Sequence, residues 1–386
     1  MSHTPIIRDN IALNAHPMGC KQNILNQIES LNDMPQILDR PLNVLILGGS
    51  SGYGLATRIV LAFKAHAYTF NVSFERGPKG KSSGSAGYYN NLFFHEIAQE
   101  KGLLCDDLNA DCFSHETKDA VINHFKSCNK TIDLVVYSVA SGIRIDPDTH
   151  VKTVSSLKPI QQTYSGYTVD IARETLKYES VEPATPQEIE DTVTVMGGAD
   201  YALWAQALSK AQVLSEGCTF VTYTYLGAQS THAIYKNGTI GAAKKDLNRA
   251  NQDVNDILAP LHGKAVISAS KAVVTKASVF IPTMALYASA LFQVMKERGT
   301  HETTVEHTYR LFKEMIYGDS PEIDDDGFYR LDQFEMDPQV QSKVHDILSR
   351  ITPENFKDLV NFDAFKKEFL NINGFDVDGC DYTQDQ

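Results

Sequence analysis

The apolar stretch from Asn43 to Leu47 breaks off into GGSSGYG, Gly48 to Gly54, and the chain then resumes with Leu55, Ala56, Ile59, Val60 and Phe63 at helical spacing between Tyr53 and Ala67. Strand, tight turn and helix in that order leave few ways to continue. The rhythm repeats, predicting a strand over Tyr68 to Phe74, a helix over Tyr88 to Lys101, a strand over Leu103 to Leu108, a helix over His115 to Cys128 and a strand over Ile132 to Ser138. Strands alternating with helices of this length need right-handed crossovers, which build a parallel, doubly wound α/β sheet.

After Ser141 the rhythm stops. The next stretch reads as polar and turn-rich, with helices predicted over Pro186 to Met196 and Ala199 to Leu214. A strand over Thr219 to Leu226, a helix over Thr239 to Leu261 and a strand over Ala265 to Val274 then resume the sheet. The 386 residues therefore read as one elaborated Rossmann-like unit. Its cofactor-binding core is expected at 42–141 and 218–298, a substrate-region insertion at 142–217, and a helical extension at 299–386 that ends in a solvated tail from Asp376 to Gln386. The uncharged run Ala277 to Met295 approaches membrane-spanning length, but Ser278, Pro282, Thr283, Ser289 and Gln293 interrupt it, so a buried helix is expected rather than stable membrane insertion.

Charge narrows the partners. Thirty-five basic against 48 acidic side chains leave a formal charge of −13, a field that repels phosphate and argues against nucleic acid. An anionic ligand must be met locally, by backbone amides or a few cations. The six scattered cysteines form no CxxC pair, and the start MSHTPIIRDNIALNAHP meets Arg8 and Asp9 before any apolar run; both features predict a reducing, cytoplasmic setting. Three imitations fail. Gly80, Lys81 and Ser82 resemble the end of a phosphate loop, but Glu75 stands where its first glycine belongs. Glu322 to Gly327 resembles the start of a calcium loop, yet its twelfth position is Gln333. No histidine or cysteine spacing suits zinc, so no metal is expected.

The glycine turn is where chemistry concentrates. Gly48, Gly52 and Gly54, between a strand and a helix, suit a dinucleotide pyrophosphate at the helix N-terminus. Gly48 to Gly52 also spells the G-x-S-x-G of a hydrolase elbow with Ser50 as nucleophile, a rival that lacks an upstream oxyanion loop. Phe74 and Glu75 end the second strand, where an acid meets the adenosine ribose, so NADH is expected over NADPH. Asp111 is a candidate acceptor for the adenine amino group, and Val139 and Ala140 for packing beside the adenosine, although each equally suits a plain turn. Tyr235 precedes a helix carrying Lys244 and Lys245; an ammonium nearby would lower the phenol, and the phenol could stabilise an oxyanion.

Taken together the chain resembles the FabV-type enoyl reductases and the related trans-2-enoyl-CoA reductases. The likeness runs through LNAHPMGC at Leu13 to Cys20, GGSSGYG, VSFERG at Val72 to Gly77, YSVAS at Tyr137 to Ser141, VMGGADYALW at Val195 to Trp204, YKNGTIGAAKK at Tyr235 to Lys245, KAVVTKASVFIP at Lys271 to Pro282 and FLNINGFDVDG at Phe369 to Gly379. The resemblance implies a short-chain-dehydrogenase-like fold and NADH-dependent reduction of the double bond in trans-2-enoyl thioesters during fatty acid synthesis. It makes Tyr235 the proton donor, Lys244 the cofactor-orienting residue and Tyr225 a neighbour of the substrate carbonyl. It lines the NADH site with Gly48, Gly49, Ser50, Ser51, Gly52, Tyr53, Phe74, Glu75, Asp111, Cys112, Val139, Ala140, Lys244, Val273, Val274 and Thr275. Family descriptions sometimes place a flavin in the C-terminal part, but no flavin motif is present and none is expected. The carrier is expected to be acyl carrier protein or coenzyme A, met by a basic rim of Lys271, Lys276, Lys296 and Arg298, on a monomer. An NADH-sensing protein without turnover and a serine hydrolase are the alternatives.

Overall fold

The structure is a computed structural model that describes residues 4–8, 10–276 and 278–383. Asp9, Ala277 at the head of the uncharged run and the last three residues of the tail lie outside them, as do Met1 to His3.

Helix α1 (Pro17–Glu29) precedes strand β1 (Asn43–Leu47), which runs into α2 (Gly52–Lys64). Strand β2 (Tyr68–Ser73), α3 (Ala86–Glu100), β3 (Cys105–Asn109), α4 (His115–Ser127) and β4 (Ile132–Tyr137) follow as the sequence pattern predicts. Val44 to Leu47 are wholly buried, as a central parallel strand covered on both faces requires. Helices α5 (Pro186–Met196) and α6 (Ala199–Lys210) lead to β5 (Leu214–Thr224), and α7 (Thr239–Leu258) to β6 (Lys264–Ala269). Then come α8 (Met284–Glu297), α9 (Thr304–Arg310) and β7 (Phe328–Arg330). Among the described residues the seven strands form one parallel sheet in the order 7-6-5-4-1-2-3. The order reverses between β1 and β4, and that switch point opens a crevice at the strands' carboxyl ends.

One face of the sheet packs Val44 and Ile46 against α1, α2, α3 and the turns after α9. The other packs Leu45, Leu47 and Phe70 against α4, α6 and α7. A third core joins α8 to Tyr235, to Val169 and Leu176 of the insertion, and to the last helices, α10 (Gln333–Met336), α11 (Pro338–Arg350), α12 (Phe356–Leu359) and α13 (Phe362–Asn371).

Several expectations change. The turn-rich insertion holds an antiparallel hairpin, Tyr164–Asp170 with Thr175–Val181, whose strand alternation is masked by charged and tyrosine side chains on its outer face. The helix expected to reach Leu214 stops at Lys210, because Leu214 already pairs with Ile132 in the sheet. β6 stops at Ala269 instead of Val274; the Ser270 amide still bonds Thr224, but that of Ala272 turns to the Glu335 carboxylate. The C-terminal extension is not all helix, since β7 pairs with β6 through Ile267 to Ala269. The tail is anchored at two points, with Val377 buried and the Tyr382 ring edge-on to His16 at 4.8 Å, while Asp376, Asp378, Gly379, Asp381 and Thr383 are solvated as expected. A Cβ on Gly374 would lie 2.3 Å from the His16 carbonyl oxygen, so only glycine lets the tail approach α1 this closely. The uncharged run forms the buried α8, and among the described residues no helix is long and apolar enough to cross a membrane.

Candidate functional site

The turn from β1 to α2 is shaped by contacts that leave no room for side chains. A Cβ on Gly48, at φ +90°, would meet the Ser138 carbonyl oxygen at 2.4 Å, and one on Gly54 would meet the Gly48 oxygen at 2.0 Å. The Gly49 amide is held by Asn71 Oδ1 at 2.8 Å. Ser51 occupies the cap position of α2 in extended conformation, and its side chain makes no capping bond. The first amides of α2 are thus left to a ligand, in contrast to α3 and α4, whose caps Ser85 and Ser114 accept from the first turn. These residues fit a dinucleotide pyrophosphate.

The carboxyl ends of β2, β3 and β4 bring the expected wall together. Glu75 is fixed by hydroxyl donors, Ser50 at 2.6 Å and Ser85, and its amide donates to Asn109 Oδ1 at 2.7 Å. Phe74 beside it is 77% exposed. Asp111 accepts from the Phe113 amide at 3.0 Å, a local turn bond that also aims the carboxylate. The Cys112 thiol turns away into the core toward the Val72 carbonyl, and burial pushes it up, so this residue offers the crevice no reactive group. Val139 is partly buried and Ala140 exposed. Ser50 is 5% exposed and spends its hydroxyl on Glu75 instead of an imidazole, which removes the nucleophile-elbow reading.

On the other side of the switch point lies the tyrosine pair. Tyr235 closes a turn in which its carbonyl accepts from the Gly238 and Gly241 amides, the latter at the head of α7. Its ring stands at 90° to that of Tyr225, centroids 5.0 Å apart. Burial pushes the Tyr235 phenol up, the reverse of the lowering expected from a neighbouring ammonium; desolvation is the cause, and the Lys244 ammonium is bonded to the Tyr223 carbonyl instead. Lys244, two turns into α7, donates to the Tyr223 carbonyl at 3.0 Å, and burial pulls it down to about 8. Tyr223 in turn stacks on Tyr53 at 4.9 Å, and the Tyr53 hydroxyl donates to the Lys271 carbonyl at 2.8 Å. Tyr53 therefore ties the glycine-turn helix to the loop after β6. In that loop Val273, Val274 and Thr275 are braced by Ser278, and Thr275 Cγ2 would lie 3.2 Å from a Cβ on Gly52. Val274, Val279, Met284, Ala288 and Phe365 surround a small apolar void beside it.

Pattern reading missed Glu335. It is wholly buried in α10 and accepts from Tyr225 at 2.8 Å, from Tyr287 at 2.7 Å and from the Ala272 amide at 2.6 Å. Its one sequence signal is an acid between Phe334 and Met336. Of the four cations expected to form a basic rim, Lys296 and Arg298 are exposed and Lys276 is partly so, and Lys271 alone is withdrawn from the surface. Lys271 is 3% exposed with its ammonium over the Phe292 ring, while Lys296 pairs with Glu368 and Arg298 bonds Gln339.

Comparison with known proteins agrees with this geometry. A family model described as the trans-2-enoyl-CoA reductase catalytic region matches residues 82–317, and one described as the NAD(P)H binding domain of trans-2-enoyl-CoA reductase matches 2–80. The chain is 44% identical over 381 residues to an enoyl-(acyl-carrier-protein) reductase (NADH) of Pseudomonas aeruginosa, covering 99% of this chain and 96% of the relative. This chain belongs to the trans-2-enoyl-CoA reductase family. Another member, reductase (NADH) 1 of Vibrio cholerae, is 44% identical over 384 residues, with 99% and 96% covered. The Treponema denticola trans-2-enoyl-CoA reductase, solved in complex with NAD, superposes with a TM-score of 0.94 at 40% identity, covering 99% of this chain and 97% of that one. The Clostridium enzyme in complex with NADH gives 0.96 at 42%, with the same coverage.

A third family model, described as an enoyl reductase FAD binding domain, matches 323–385. The residues present there do not fit a flavin. The amides opening α11 are taken by the Asp337 carboxylate and one opening α13 by Asn361, so neither helix start is free for a pyrophosphate. The apolar faces of Val340, Val344, Phe365 and Phe369 are spent in the core around α8. The C-terminal segment packs against α8 rather than cradling a flavin.

Proposed function

We propose that the chain reduces the carbon–carbon double bond of trans-2-enoyl thioesters with NADH, in fatty acid synthesis. The observation that carries this reading is the Tyr235 phenol, buried before the head of α7 against Tyr225, which follows β5 at the same carboxyl edge of the sheet as the glycine turn after β1. When bound, NADH supplies the hydride that the thioester β-carbon accepts.

The chain's own residues do the rest. The free amides of α2 hold the pyrophosphate, Glu75 accepts from the adenosine ribose, and Asp111, Cys112, Val139 and Ala140 wall the adenosine. Val273 to Thr275 close the nicotinamide side, and Lys244 bonds its ribose. Because burial keeps Tyr235 protonated, it donates a hydrogen bond to the thioester oxygen as enolate charge develops there, in a setting where water does not compete, and a proton added at the α-carbon completes the reduction. The apolar residues of α8 and the loop before it form the wall for the acyl chain. The carrier is acyl carrier protein or coenzyme A, with acyl carrier protein preferred, and the protein acts as a cytoplasmic monomer.

The deciding experiment follows loss of NADH absorbance with crotonyl thioesters of both carriers. Turnover is expected with NADH. Binding of NADH without turnover would make the protein a sensor, and labelling of Ser50 by a fluorophosphonate would return the hydrolase. Light scattering that reads a dimer would overturn the monomer.

A further inference from the structure

We infer that Glu335 is a positioning residue of the reductase site, acting through Tyr225: its carboxylate pins the Tyr225 ring against Tyr235. This rests on the proposed reductase reading and extends it to the C-terminal segment. A carboxylate in a dry interior is costly unless each oxygen is satisfied. Here the donors come from separate parts of the chain. Oε1 accepts from Tyr225, just past the end of β5, and from Tyr287 of α8, while Oε2 accepts from the Ala272 amide in the loop after β6. Glu335 is itself held, since Gln341 of α11 donates to its carbonyl at 2.7 Å and to the Tyr287 hydroxyl at 3.0 Å. Burial pushes the Glu335 carboxyl up, while the Ala272 amide, the Tyr287 and Tyr225 hydroxyls and the buried Lys271 ammonium oppose that shift and favour the carboxylate.

The consequence falls on Tyr225. Its proton is donated to Glu335, and its ring meets that of Tyr235 in a T-shaped contact. Tyr225 then serves as a fixed wall that sets where the Tyr235 hydroxyl lies, rather than as a donor to the thioester. The same carboxylate draws the Ala272 amide off the sheet, which starts the turn toward Val273 to Thr275. The segment matched by the flavin-named family model thus reaches the reaction through one anchored acid.

The test is a double-mutant cycle on the full chain. Wild type must first turn over crotonyl-CoA with NADH; if it does not, the reductase reading fails and Glu335 is not at issue. Glu335→Gln keeps the shape but puts an amide donor against either the phenols or the Ala272 N–H. We expect kcat to fall about tenfold, with NADH affinity by fluorescence titration held within about twofold. In a Tyr225→Phe background the same substitution should cost less than about twofold, because coupled residues are not additive. An equal loss in both backgrounds, or an unchanged kcat in Glu335→Gln, overturns the inference. If Glu335→Gln does not fold, Tyr225→Phe and Tyr287→Phe decide it. Only the former should lower kcat, and equal effects from the two would assign Glu335 a packing role alone.

Discussion

At the scale of the residue, Tyr235 is a phenol that burial keeps neutral, so its service is a hydrogen bond to developing charge. Tyr235→Phe should lower kcat about a hundredfold or more, as loss of one oxyanion donor does, with NADH affinity unchanged. A Phe variant that turns over normally would end the assignment. Lys244 carries a pH signature. Burial pulls it from 10.5 to about 8, so its positive charge at the ribose is lost as pH rises through about 8. kcat/KM should therefore show a falling alkaline limb near that pH, and Lys244→Arg, which stays charged, should move the limb upward. Stability runs the other way. Between the two values the unfolded chain binds the extra proton, so this lysine's contribution to stability rises with pH from about 8 to 10.5. Glu75, held by Ser50 and Ser85, is the acid we propose for the adenosine ribose; Glu75→Ser should narrow the preference for NADH over NADPH, read as the ratio of the two kcat/KM values.

At the scale of the element, the β1–α2 turn is a backbone device. Gly48 at φ +90° has the Ser138 carbonyl 2.4 Å from where a Cβ would stand. Gly48→Ala combines a strained dihedral with a backbone clash, so a destabilisation on the order of 1–3 kcal/mol is expected together with loss of NADH binding. Thermal melts and a fluorescence titration measure both, and an Ala variant that melts and binds like wild type would show that the turn relaxes freely. This turn was legible in the sequence because its chemistry is local: glycines where strand gives way to helix. The loop after β6 was not. Ser270 to Val274 are as β-prone as the strand before them, yet the chain leaves the ladder because a carboxylate 63 residues away takes the Ala272 amide.

At the scale of the whole molecule, charge and topology govern the carrier. The net charge is −13, Lys271 is buried, and Lys296 and Arg298 are engaged by Glu368 and Gln339. An acidic acyl carrier protein therefore meets a repulsive field, relieved only where Lys276 and the exposed Lys296 and Arg298 face it. Its kcat/KM should rise with salt as the Debye length shrinks toward ~8 Å near ~0.15 M. A steep fall with salt would instead reveal a basic docking face elsewhere on the surface.

The sequence by itself determined what short-range patterns encode. The alternation of β1 to β4 with α2 to α4, the glycine turn and the largely apolar α8 all follow from side-chain periods and turn chemistry within a dozen or so residues, while the pairing of Tyr235 with Lys244 was legible only through the family resemblance. The tertiary structure decided what depends on distant partners. β7 is too short to announce itself and exists because β6 offers it an edge; the polar tail is anchored through Val377 and Tyr382 because Gly374 admits α1. The direction of the Tyr235 shift was likewise set by burial rather than by the neighbouring lysine, and Glu335 entered the site across 110 residues from Tyr225. Hydrogen bonds and desolvation depend on which groups the folded chain brings together, and a linear pattern holds no record of that distance.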